Sequence, residues 1–111
     1  MKSIYICHDN SDKILANQIK NMFEMENIVC GDLNHADVYL FIFSDSANRS
    51  KKVLDELQKI VSLNKKFLTL KNTDKVPADE LSFYIGTTQW MDMNKEHSMK
   101  DLLSKVLHQI R

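Results

Sequence analysis

Val38-Tyr39-Leu40-Phe41-Ile42-Phe43, followed at once by Ser44-Asp45-Ser46-Ala47-Asn48-Arg49-Ser50-Lys51-Lys52-Val53-Leu54-Asp55-Glu56-Leu57, decides how this chain is read. A continuous apolar run of that length, bounded by small polar residues, predicts a strand buried on both faces. Such a strand needs helices above and below it, as in a parallel sheet. The segment that follows places Val53, Leu57, Ile60 and Val61 at helical spacing, so a helix returns over the strand. At about 100° per residue, Glu56 falls roughly 100° from the centre of that apolar face. It stands at the edge of the buried stripe, near Val53 and Ile60, where a carboxylate can be half-desolvated and can line a cleft. That position suits a reactive carboxylate, and it also suits an ordinary boundary glutamate.

Outward from this unit, strands and helices alternate. Ser3 to Cys7 is β-branched and aromatic, hence a strand. Asn10 or Ser11 can cap the next helix, whose apolar positions are Leu15, Ile19, Met22 and Phe23. Ile28-Val29-Cys30 is a strand stub closed by Gly31, and Asn34 to Asp37 is a brief connection. Phe67 to Leu70 predicts a fourth strand. Pro77 suits the first turn of a short helix through Tyr84, and Gly86 its end. Thr88 to Met91 predicts a fifth strand. Ser98 with Asp101 has capping-box spacing before the stripe Met99, Leu102, Leu103, Val106, Leu107 and Ile110. That stripe reads first as core packing and second as a partner-helix surface.

The alternation implies an α/β three-layer, flavodoxin-like fold. Its five parallel strands take the order 2-1-3-4-5, abbreviated between strands 2 and 3. The whole of residues 1–111 reads as a single domain. In such sheets ligands bind beyond the strand C-termini where the order reverses, here between strands 1 and 3. The crevice then lies between His8-Asp9-Asn10 and Ser44-Asp45-Ser46, and the helix bearing Glu56 starts from the second of these loops.

Composition removes several function classes. Lys plus Arg number 15 and Asp plus Glu 15, a formal net charge of +0, so no basic excess exists for nucleic acid. No apolar stretch approaches a membrane span, and the start of the chain has no secretion-signal pattern, so no membrane partner and a cytoplasmic setting are expected. Cys7 and Cys30 read as buried thiols of a reducing compartment, and His8, His35, His97 and His108 show no ligand pattern, so no metal is expected. A glycine-rich phosphate loop is absent from the sequence. Asp9 and Asp45 each stand alone in a loop, which is turn chemistry rather than a phospho-receiver cluster. Cys7 and His8 are adjacent strand residues and point to opposite faces.

Four stretches in order resemble the bacterial Toll/interleukin-1 receptor (TIR) domain family, over nearly the whole chain. Ile4-Tyr5-Ile6-Cys7-His8-Asp9-Asn10-Ser11-Asp12-Lys13 resembles its first strand and the loop after it. Phe41 to Leu57 resembles its third strand and following helix. Lys65-Lys66-Phe67-Leu68-Thr69-Leu70 with Val76-Pro77 resembles the fourth strand and its loop. Leu81-Ser82-Phe83-Tyr84-Ile85-Gly86-Thr87-Thr88-Gln89-Trp90-Met91-Asp92 resembles the bacterial ending of the family.

The resemblance implies an NAD-cleaving enzyme, a glycosidase or a cyclase, in bacterial immune signalling or antiviral defence. NAD would be substrate, with no cofactor. Ser50 and Glu56 match the family spacing S-x-x-x-x-x-E, so Glu56 would be the catalytic glutamate. His8, Asp9, Asn10, Ser11, Ser44, Ser50 and Lys52 would bind substrate. The implied protein partners are further copies of the chain or other TIR domains. Two features set this chain apart. Gly31 to Asp37 replaces a long loop and helix that cover the site and mediate assembly in the family. Lys52 stands where enzymatic members often carry an aromatic residue. The alternative is a non-catalytic TIR module acting through homotypic protein contacts.

Overall fold

The computed structural model describes residues 3–86, 88–93 and 99–110. The strands are β1 (Ser3–Cys7), β2 (Val29–Cys30), β3 (Val38–Phe43), β4 (Lys66–Lys71) and β5 (Gln89–Asp92). The helices are α1 (Lys13–Met25), α2 (Lys51–Leu63), α3 (Asp79–Ile85) and α4 (Met99–Ile110). All strand pairings are parallel, in the order β2-β1-β3-β4-β5, as the alternation of elements predicts.

β3 lies at the centre, and each of its residues is no more than 1% exposed. Strand alternation sends Val38, Leu40 and Ile42 to one face and Tyr39, Phe41 and Phe43 to the other. The first set packs with Ile19 and Phe23 of α1 and Leu102 and Val106 of α4. The second packs with Val53, Leu57 and Ile60 of α2 and Leu81 and Ile85 of α3.

A helix-bearing crossover of a dozen or more residues usually joins parallel strands. Between β2 and β3 there is only the segment 31–37, without a helix. It is pinned to the sheet at both ends: Gly31 N–H donates to Ile4 O at 2.8 Å, and Asp37 N–H to Ser3 O at 3.0 Å. In its middle, the Tyr39 hydroxyl donates to Leu33 O at 2.7 Å. Leu33 and Ala36 pack on the aromatic face and cover part of the area a helix would otherwise occupy. A Cβ on Gly31 would stand 3.0 Å from His35 O, so this tight segment favours a residue without a side chain.

Several local expectations are corrected. Asp9, not Asn10 or Ser11, caps the segment after β1: its side chain accepts from Ser11 N–H at the head of a short 3₁₀ turn, Asn10–Asp12. Pro77 precedes α3 rather than entering its first turn, because the helix starts at Asp79. Gly86 follows α3 in a right-handed conformation. The left-handed positions after α1 and α2 are filled by Asn27 and Asn64, the non-glycine residue type that tolerates them best. Val61 is 43% exposed; the inner face of α2 instead turns toward Leu54, which packs partly buried against the aromatic cluster. Cys30 lies on the two-residue edge strand and is only half-buried. The capping box at Ser98 lies outside the described residues, as do the side chains of Met99 and Ile110. Among the described residues no helix is long and apolar enough to cross a membrane.

Candidate active site

The site begins with the alternation of β1. Tyr5 and Cys7 point to the same face, where Tyr5 pairs in register with Tyr39 and Cys7 with Phe41. The Tyr5 and Tyr39 rings stand 6.1 Å apart, tilted by 57°. α2 descends over this face. Its start is fixed by Ser50, whose hydroxyl accepts from Val53 N–H at 3.2 Å. Glu56, in the second turn, then meets β1 from above, with a side chain 15% exposed.

Two groups contact the Glu56 carboxylate and a third lies close by. The Tyr5 hydroxyl donates to Oε1 at 2.7 Å. The Cys7 thiol, wholly buried on the same face of β1, lies within reach of the Glu56 charge. Lys52, one helical turn earlier, places Nζ 3.6 Å from Oε2. Lys52 Nζ also donates to Asn10 Oδ1 at 3.4 Å, which links α2 to the loop after β1.

The two acids facing Glu56 keep their protons more firmly than usual. Burial pushes the Tyr5 phenol up from its ordinary 10.0, and the hydrogen bond to Glu56 and its charge add to this. Burial likewise pushes the Cys7 thiol well above 9.0, with the Glu56 charge second and Lys52 acting the other way. Asp9 moves in the opposite direction. The Ser11 amide holds its carboxyl below the usual range, helped by the hydroxyls of Ser11 and Ser50.

The other expected site residues divide. Asn10 is joined to Glu56 through Lys52, Ser11 donates its amide to Asp9 in the same loop, and Ser50 caps the helix that carries Glu56. His8 donates from Nδ1 to Asp9 O at 2.8 Å and lines a cavity of about 240 Å³ with Ile4, Ala16, Lys20 and Cys30, toward the β2 edge. Ser44 is buried and engaged in its own turn: its hydroxyl donates to Asp12 Oδ2 and accepts from Ala47 N–H. It locks the loop rather than facing Glu56. Tyr5 and Cys7 are the side chains beneath α2 at Glu56 that local sequence patterns missed. The available signal was the period of two in β1, which puts both on the face that α2 covers.

Chemically, this is a carboxylate with one oxygen tethered by a phenol and the other turned to a half-exposed cation at the protein surface. Such a group can stabilise a positive charge that develops beside it. Among the described residues no cluster of His, Cys, Asp and Glu could hold a metal ion.

No family model matches the chain, and no curated protein matches it. Among solved structures, the CMP N-glycosidase BcmB of Clostridium botulinum is similar, with a TM-score of 0.69 and 14% identity. The match covers 95% of this chain and 98% of that one. At this identity the likeness is one of fold.

Proposed function

We propose that this chain is an N-glycosidase that breaks the bond between base and ribose in a nucleotide, with Glu56 as the catalytic carboxylate and NAD as substrate. The observation that carries the reading is the tethering of Glu56: Oε1 is fixed by Tyr5 at 2.7 Å, while Oε2 is left toward the surface beside Lys52. Two likenesses support it. Ser50 and Glu56 have the spacing of NAD-cleaving TIR domains, and the fold is similar to that of a protein described as a CMP N-glycosidase.

The electron count is simple. The glycosidic pair leaves with the base nitrogen, and the ribose is left as an oxocarbenium ion at its anomeric carbon. Glu56 stabilises that charge and orients the ribose hydroxyls. Water then adds and loses a proton to give ADP-ribose, or an adenine nitrogen adds to give a cyclic product. Nicotinamide departs as a neutral molecule and needs no proton. Cytosine departs with a surplus charge and does need one. The Tyr5 hydroxyl is already donated to Glu56 and the Cys7 thiol is wholly buried, so neither is free to protonate a base, which favours the leaving group that needs no proton. Bacterial immune signalling or antiviral defence is the proposed setting, with copies of the chain assembling to complete the pocket.

A second reading has an observation of its own. The segment 31–37 is too short to form the covering loop and helix of enzymatic TIR domains, which favours a non-catalytic module acting through homotypic contact. Concentrated protein incubated with NAD, and separately with CMP, followed by chromatography of the products, decides between them. The expected result is nicotinamide release that rises more steeply than protein concentration and disappears in Glu56→Gln. No turnover of either nucleotide would move the conclusion to the contact module.

A further inference from the structure

We propose that the site accepts ribosides phosphorylated on the ribose whose base is removed, and that Lys52 recognises this phosphate. The inference rests on the glycosidase reading and adds a substrate class to it: a 5′-phosphorylated ribonucleoside, a unit found in both NAD and a pyrimidine mononucleotide.

A carboxylate able to stabilise an oxocarbenium ion also repels an anionic substrate. Glu56 is one such charge, and Asp9 is a second in the loop after β1, next to Asn10, which Lys52 contacts. Lys52 is the cation in contact with Glu56 and with the loop after β1. The neighbouring cations face elsewhere. Arg49 and Lys51 line a groove with Ala78 and Glu80, toward α3. Lys20 lines cavities at the β2 edge.

Both contacts of Lys52 are long. Nζ stands 3.6 Å from Glu56 Oε2 and 3.4 Å from Asn10 Oδ1, against about 2.7–2.9 Å for a good ammonium–carboxylate bond. Its side chain is 52% exposed, on a flexible four-carbon stem. The ammonium therefore has donors to spare and little to lose by turning. A phosphate one methylene away from the ribose ring would draw it off Oε2. That movement offsets the repulsion and, in the same step, frees Oε2 for the sugar. A nucleoside without phosphate leaves the ammonium where it is, over the oxygen the reaction needs.

The test compares NAD with nicotinamide riboside, and CMP with cytidine, in wild type, Lys52→Met and Lys52→Arg. Wild type is expected to favour each phosphorylated member by about tenfold or more in kcat/KM. Lys52→Met is expected to lose that preference, chiefly through KM for the nucleotide, and Lys52→Arg to restore most of it. The NAD and CMP arms separate the two sources of the phosphate. Equal use of nucleotide and nucleoside by wild type, or a preference that survives in Lys52→Met, overturns the inference while leaving the glycosidase reading in place. If none of the four is cleaved, the glycosidase reading falls, and the phosphate is read by equilibrium binding instead. CMP or NAD should then bind about tenfold more weakly to Lys52→Met than to wild type. Unchanged binding, or no binding to wild type, overturns the inference.

Discussion

The two faces of the sheet are built from different chemistry, although one strand, β3, supplies the centre of both. Toward α1 and α4 the cluster is almost entirely hydrocarbon: Ile4, Leu40, Ile42, Leu68 and Leu70 beneath Ile19, Phe23 and Val106. Toward α2 and α3 it is aromatic and carries polar tips: Tyr5, Tyr39, Phe41, Phe43 and Trp90, with Cys7 among them. The aliphatic face can only pack. The aromatic face packs with its ring bodies and binds with its edges. Tyr39 ties down the segment 31–37, Trp90 Nε1 donates to Ile85 O at 3.0 Å, and Tyr5 holds Glu56. A residue can be chemically available and still sit at the core only on a face of the second kind.

This contrast can be broken experimentally, and the largest effect belongs to the aliphatic face. Leu40→Ala removes a wholly buried side chain there and should cost about 2–5 kcal/mol by denaturant unfolding. Glu56→Gln should do the reverse. Its stability cost should stay within about 1 kcal/mol, because the side chain keeps its size and its hydrogen bond from Tyr5. Its turnover of NAD should fall by about 10²–10³ or more, the range for loss of one electrostatic group at a developing charge. Equal stability losses for the two variants would erase the distinction between the faces.

Tyr5→Phe sharpens the comparison within the aromatic face. It keeps the ring against Tyr39 and removes only the hydroxyl on Glu56 Oε1. The expected cost is about 1–2 kcal/mol in stability and about tenfold in kcat, with KM for NAD less affected. A positional role for the phenol is refuted if kcat is unchanged.

The smallest effect is a difference in alkaline tolerance. Cys7 and Tyr5 both have folded values raised above their ordinary 9.0 and 10.0. A raised value favours the protonated form in the fold, so the stability it contributes is complete below the ordinary value and is lost as pH climbs past it. Wild type should therefore lose about 1 kcal/mol by pH 10, beginning near 9, and Cys7→Ala should lose less over the same interval. The aliphatic face has one such group among the residues packed against it, Cys30 at its margin, half-buried and also raised above 9.0 by burial. A melting temperature that falls identically in wild type and Cys7→Ala between these pH values would show that Cys7 contributes nothing to the alkaline loss.

The fold was legible because its signals are local. The run 38–43 announces a doubly buried strand, and the spacings in α1, α2 and α4 announce helices, so the order 2-1-3-4-5 follows from alternation. The position of Glu56 was legible to first order from helical phase. Its partners were not, since Tyr5 lies 51 residues away and their contact exists only after β1 slides beneath α2. Ser44 misled for a related reason. A serine at a strand end serves a ligand or its own turn equally well, and here Asp12, from the 3₁₀ turn after β1, claims it. The ends of α1 and α2 were obscure because asparagine, rather than glycine, takes the left-handed position.

The brevity of β2 has a consequence for how this protein behaves in a crowd. With a formal net charge of +0, molecules of this chain have no mutual repulsion to keep them apart. An open sheet edge under those conditions is a template for strand addition from a neighbour. β2 presents two residues as an edge, and the chain leaves the sheet at Gly31 to cross back over β1. A neighbour's strand would find almost nothing there to extend, so the same economy that shortens the crossover also guards against runaway aggregation.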